Sequence, residues 1–106
     1  MGWIVEILPA AVPELEALPE DMQARFQRIV AMIQASGLGR MREPYVKHLE
    51  GRLWEMRMTG RDGISRAIYV TAIGQRVVVV RAFIKKTQKT PRSEIEIAHR
   101  RAKEVL

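Results

Sequence analysis

The sequence has no cysteine, which excludes disulfides and thiolate metal sites and suits a reducing compartment. No apolar run approaches the roughly 20 residues that a membrane-crossing helix requires. The N-terminal segment MGWIVE lacks the basic start and long apolar stretch of a secretory signal, so a cytoplasmic protein is expected. A glycine-rich phosphate loop and an HExxH motif are also missing, and the only histidines, His48 and His99, have no partner at metal-ligand spacing. The reading is therefore no metal, no cofactor and no membrane contact. His48 reads as a surface or packing residue, and His99 as a solvated one.

The 106 residues fit one compact domain, 1–106. The net charge of +6 is unevenly placed: residues 1–40 hold three basic and five acidic side chains, and residues 41–106 hold fifteen and seven. A basic half of this kind suits a polyanion, because each neutralised phosphate releases condensed counterions.

Hydrophobic spacing gives the elements. Residues 3–8 are apolar and β-branched and stop at Pro9, which predicts a first strand. Residues 11–18 have Pro13 where a short helix tolerates it, and Pro19-Glu20-Asp21 opens a longer helix with acidic residues at its positive end. Met22, Phe26, Ile29, Val30 and Ile33 mark its apolar face, and the SGLG run at 36–39 ends it. Residues 40–51 read as an irregular connector. Residues 52–59 alternate, with Trp54, Met56 and Met58 on one face and Leu53, Glu55 and Arg57 on the other. A hairpin signal at 60–63 leads to a strand at 64–71, and a turn at 73–75 leads to another at 76–84. Four consecutive valines, 77–80, predict a central strand covered on both faces. After the basic loop 85–89, Thr90 and Pro91 read as a cap and first-turn proline for a last helix with Ile95, Ala98, Ala102 and Val105 as its stripe. The predicted class is α+β in the order β-α-α-β-β-β-α. An antiparallel meander packs on an N-terminal helical hairpin, with a C-terminal helix and the first strand at an edge or beside the last.

The chemistry resides in cations on adjacent strands: Arg57, Arg66, Arg81, and Lys85-Lys86 where the last strand ends. Neighbouring strands lie about 4.8 Å apart, so such side chains can meet on one face. Each alone reads as a solvated strand residue, with Arg81 paired to Glu55 or another carboxylate; together they suit phosphate. RNA carries its own nucleophile, the 2′-OH, so a cluster that orients the backbone and stabilises a phosphorane can cleave it without a metal. The same cluster would serve a protein that only binds RNA.

Residues 46–57, VKHLEGRLWEMR, resemble the K-x-L-x-G-x-LWELR segment of HigB-like, phage-related members of the RelE/ParE toxin superfamily. Residues 66–69, RAIY, resemble the R-x-x-Y strand of those proteins, and residues 80–91, VRAFIKKTQKTP, their KKTQKTP signature. The resemblance implies a RelE-like fold and a ribosome-dependent mRNA endoribonuclease that inhibits translation. It also implies partnership with mRNA, the ribosome and a cognate antitoxin, commonly a helix-turn-helix protein. Carried over, Arg57 and Arg66 would hold the scissile phosphate, with Lys85 and Lys86 as candidates for acid/base work or phosphate contact. Lys47, Arg81, Lys89 and Arg92 are expected RNA contacts. Phe83 and Tyr69 read as packed residues. Several superfamily members place a tyrosine or histidine near the start of the last helix; residues 92–95, RSEI, hold neither, so the general base is unassigned. The alternatives are a ParE-like gyrase poison and a non-catalytic RNA-binding domain. Arg57→Ala and Arg66→Ala are expected to abolish toxicity while leaving the fold intact, on the premise that neither removes core volume.

Overall fold

A computed structural model of the chain describes residues 2–86 and 88–106. Strand β1 (Ile4–Ile7) is followed by a 3-10 turn at Pro9–Ala11 and the short helix α1 (Val12–Glu16). Helix α2 (Glu20–Ser36) starts after Pro19 and stops at Gly37, whose φ of 85° is the left-handed geometry that glycine adopts without a Cβ clash. Met22, Phe26, Ile29 and Ile33, which the spacing selects, are buried, and Val30, the fifth it selects, is partly buried against the same core. Strands β2 (Val46–Glu50), β3 (Leu53–Gly60), β4 (Gly63–Ala72) and β5 (Arg76–Lys85) precede the last helix, α3 (Arg92–Ala102). No helix among the described residues is long and apolar enough to cross a membrane.

Strand β2 is the departure from the expected order, because it lies within the stretch read as a connector. Its sequence, VKHLE, has little strand character of its own. What makes it a strand is antiparallel pairing with β3, in the register Val46↔Met56 to His48↔Trp54. Tertiary pairing overrides weak local preference here.

The sheet order is β1-β5-β4-β3-β2. Strands β2 to β5 form the antiparallel meander, while β1 is both an edge strand and the neighbour of β5, to which it pairs in parallel. Helices α1 and α2 cover one face, where Met22, Phe26 and Ile29 meet Met56, Met58, Tyr69 and Val79. Helix α3 covers the other, where Ile95, Ala98 and Ala102 meet Leu53, Ile68, Val78 and Val80. The four valines thus feed two cores, as a central strand should. Fully burying each contributes about 1.5–3 kcal/mol.

An irregularity in β5 decides which way the end of that strand faces. Ile68 pairs with Arg81 but Tyr69 pairs with Val79, so Val80 is an extra residue and the ladder bulges. Strict alternation from Val77 and Val79 would send Phe83 and Lys85 to the α2 side. The bulge reverses the faces beyond it: Ala82 joins the α1/α2 core and Phe83 the α3 core.

Candidate active site

On the α3 face, the sheet extends past the start of that helix, and cations gather there. Arg57 and Arg66 are register partners on β3 and β4, and Ile64 pairs with Lys85 on β5. Alternation puts Arg66 on the face of Ile68 and Val70, and the β5 bulge puts Lys85 on the same face. Arg57, Arg66, Lys85, Lys86 and Gln88, with Gly63 and Ile64, line a shallow depression of about 370 Å³.

Arg66 is its floor. The residue is 1% exposed, and its Nε and Nη1 have no hydrogen-bond partner among the described residues. A buried guanidinium normally has its donors filled, and leaving them empty is costly. The charge is compensated by the buried carboxylate of Glu55, whose Oε2 lies 3.5 Å from Nε. That is an ion-pair distance but too long for a strong hydrogen bond. Burial, with a further contribution from Arg57, pulls the Arg66 guanidinium below its ordinary pKa, against the attraction of Glu55.

Thr90, directly before α3, donates its hydroxyl to Glu55, at 3.0 Å from Oε2 and 3.3 Å from Oε1. The sequence suggests Thr90 as the helix cap. Instead Pro91 holds the cap position and no side chain bonds the first-turn N–H groups among the described residues.

Lys85 lies partly buried at the end of β5. Desolvation, followed by the positive charges of Arg66, Arg57 and Lys47, lowers its ammonium below the ordinary lysine range, although Glu55 opposes the shift. Arg57 is half-buried and, among the described residues, reaches only Glu43, at 4.0 Å. Lys86 is exposed at the rim. Lys47, exposed on β2, is the register partner of Glu55 and so borders the site from the next strand.

The remaining candidates stand apart from this depression. Arg81 is clasped between Glu14 of α1 and Glu94 of α3, and Glu14 also takes hydrogen bonds from Arg101 and from the Ala82 N–H. The carboxylate-paired reading of Arg81 is the one its surroundings favour, with Glu14 and Glu94 as partners rather than Glu55. Arg92 makes a two-pronged pair with Glu50 at 2.6 and 3.0 Å. Lys89 is exposed on the loop before α3. His99, expected to be merely solvated, lies 2.7 Å from the same Glu50 carboxylate. The hydrogen bonds of Arg92 and His99 hold Glu50 down to about 2. His48 packs edge-on against Trp54 and its ring reaches Gly51 O at 2.8 Å, in line with a packing role. Tyr69 and Phe83 are buried, as expected, and burial pushes the Tyr69 hydroxyl above its ordinary range.

The expectation that Arg66→Ala would spare the core does not survive the structure. Arg66 is among the largest fully buried side chains, so truncation removes interior volume and strands Glu55. Sequence reasoning also missed Glu55 and Thr90 as parts of the site. The signal available was a carboxylate at 55 on the same alternating face as Arg57.

Among the described residues, no cluster of three or more histidine, aspartate or glutamate side chains is placed to hold a metal ion. The arrangement can bind a phosphodiester through one buried and one half-buried guanidinium, with a lysine of lowered proton affinity beside them.

The model of the family described as Phage derived protein Gp49-like (DUF891) matches residues 13–103. Among solved structures, a mutant of the E. coli toxin RelE in the free state is similar over 100% of both chains, with 16% identity and a TM-score of 0.65. The RelE of an archaeal RelE–RelB complex from Pyrococcus horikoshii is 25% identical over 79% of this chain and 96% of its own, with a TM-score of 0.58. The isolated E. coli RelE toxin gives 12% identity over 92% and 97%, with a TM-score of 0.56. No curated protein matches.

Proposed function

Because the chain belongs to the phage-derived Gp49-like family and carries the fold of the RelE superfamily, we propose that it is the toxin of a toxin–antitoxin pair, of the HigB-like branch, and that it cleaves mRNA on the ribosome. The observation that carries this reading is Arg66, buried beside Arg57 and Lys85 in one depression, with Nε and Nη1 lacking a hydrogen-bond partner among the described residues. A guanidinium is planar, its N–H groups match phosphate oxygens, and its positive charge persists at any physiological pH.

In the reaction, the 2′-oxygen attacks the adjacent phosphorus in line and the 5′-oxygen leaves. Arg57 and Arg66 hold the non-bridging oxygens and stabilise the charge that builds on them. Lys85, with its lowered proton affinity, takes the 2′ proton in its neutral form, and Lys86, at the rim, contacts the backbone or protonates the leaving oxygen. Lys47 and Lys89 extend the positive surface along the RNA, and Arg92 joins them by exchanging Glu50 for phosphate. Arg81 contributes less, because its donors already serve Glu14 and Glu94.

The site works in the cytoplasm on translating ribosomes. Its partner in restraint is a cognate antitoxin, a reading supported by the archaeal relative's capture with RelB; the family resemblance gives that antitoxin a helix-turn-helix domain. Primer extension on a message after brief induction tests the whole. Discrete codon-linked cuts support the ribonuclease; DNA damage with intact mRNA would show a gyrase poison; binding without cuts would leave an RNA-binding domain.

A further inference from the structure

We propose that Thr90 is a positioning residue whose hydroxyl occupies Glu55 and thereby keeps the buried Arg66 guanidinium open for a phosphate group. The inference rests on the function proposed above and gives Arg66 its working state. Three observations meet here. Glu55 and Arg66 are both buried and lie 3.5 Å apart, yet they stop short of a hydrogen-bonded clamp. Nε and Nη1 of Arg66, donors that such a clamp or a ligand would use, have no partner among the described residues. The Glu55 carboxylate meanwhile accepts the Thr90 hydroxyl through both oxygens.

A buried carboxylate beside a buried guanidinium should close on it in a bidentate pair at about 2.7–2.9 Å, the strongest arrangement the two groups have. A movement of less than about 1 Å would achieve it here. A third donor removes the incentive: with Thr90 bonded, Glu55 neutralises the charge of Arg66 without taking its N–H groups. Buried, compensated and unbonded is the state that a phosphate dianion or phosphodiester can use, since binding then costs no exchange of an existing hydrogen-bonded pair. The position of Thr90 fits this task. It forgoes the helix cap its sequence context suggests, and its hydroxyl turns to the sheet instead.

The test compares Thr90→Val with Thr90→Ser in the full chain. Val preserves shape without a donor, and Ser restores the hydroxyl. In ligand-free Thr90→Val, the Arg66 Nε–H resonance should move downfield as Glu55 closes on it. Inorganic phosphate, and a short RNA carrying a 2′-O-methyl block, should bind about tenfold more weakly. Thr90→Ser should behave as the unaltered protein in both readouts, and melting curves should show all three folded. Unchanged binding and an unmoved Nε–H in Thr90→Val overturn the proposal, as does equal loss in Val and Ser, which would mark Thr90 as merely structural. The double variant Arg66→Met, Glu55→Gln, which leaves no lone buried charge and is confirmed folded by its melting curve, separates the two levels. If it loses phosphate while Thr90→Val does not, only the spacer role fails. If it binds and cleaves as the unaltered protein does, the proposed site itself fails.

Discussion

Arg57 and Arg66 sit directly opposite each other across β3 and β4, two guanidinium groups on one sheet face. Like charges in direct cross-strand register oppose folding. Among the described residues, only one of the pair has a carboxylate within 3.5 Å, and that carboxylate is shared with Thr90. An anion between them would relieve the repulsion, so the pair suits the anion binding proposed above and carries a standing cost in the protein alone.

Arg57→Ala should separate activity from stability. The side chain is 27% exposed and its ion pair with Glu43 spans 4.0 Å, so stability should change by less than about 0.5 kcal/mol. Cleavage should fall by about 100-fold, as when one preorganised donor is removed from a developing charge. Growth after induction and a thermal melt check the two halves.

Arg66→Ala should lose both. It vacates interior volume and leaves Glu55 without its counter-charge, which costs about 3 kcal/mol. The double variant Arg66→Met, Glu55→Gln should regain much of the stability, because volume is kept and no lone charge is buried. It should remain non-toxic. A double variant that is stable and still toxic would remove Arg66 from the chemistry.

On the proposed mechanism Lys85 sets the pH dependence of cleavage. With its neutral amine as the base, the single-turnover rate on ribosome-bound message should rise with pH and level off above a pKa lying below the ordinary 10.5 of lysine. Lys85→Arg cannot lose its proton in this range, so its profile should be flat and low. A profile for Lys85→Arg that keeps the rise assigns the proton transfer to another group.

Glu14 should make the fold acid-sensitive. Burial works to raise its carboxyl, but the hydrogen bonds from Arg101 and Ala82 N–H and the charges of Arg81 and Arg101 together hold it below 4.5. A carboxylate with a depressed folded-state pKa stabilises the protein above its unfolded pKa, and this stabilisation is lost as pH falls through the folded value. Melts between about pH 7 and pH 3 should therefore show a fall in Tm below about pH 4.5 that Glu14→Gln lacks. At neutral pH, Glu14→Gln should be less stable by about 1–3 kcal/mol.

Periodicity revealed α2, α3 and β3, and continuous apolar runs between turn signals revealed β4 and β5, whose residues are buried on both faces. Strand β2 escaped notice: with Lys47, His48 and Glu50 in five residues, its identity comes from its partner β3. The site was legible as to residue type but not as to state. Arg57, Arg66 and Lys85 were visible as strand cations, yet the face of Lys85 depends on a bulge at Val80 that four identical valines conceal. The burial of Arg66 was invisible for a similar reason. An arginine within an apolar strand reads as an outward interruption, whereas here it lies buried beside Glu55, which also accepts the Thr90 hydroxyl.

The parallel pairing of β1 with β5 joins residues 4–7 to residues 76–79, far apart along the chain. During translation the first strand emerges long before its partner and must wait for it, while the meander can zip from neighbouring hairpins. The final closure of the sheet therefore falls late in synthesis. A nascent chain cut short before β5 would have neither Lys85 nor the strand that pairs with β1, so such products leave β1 unpaired and lack part of the proposed site.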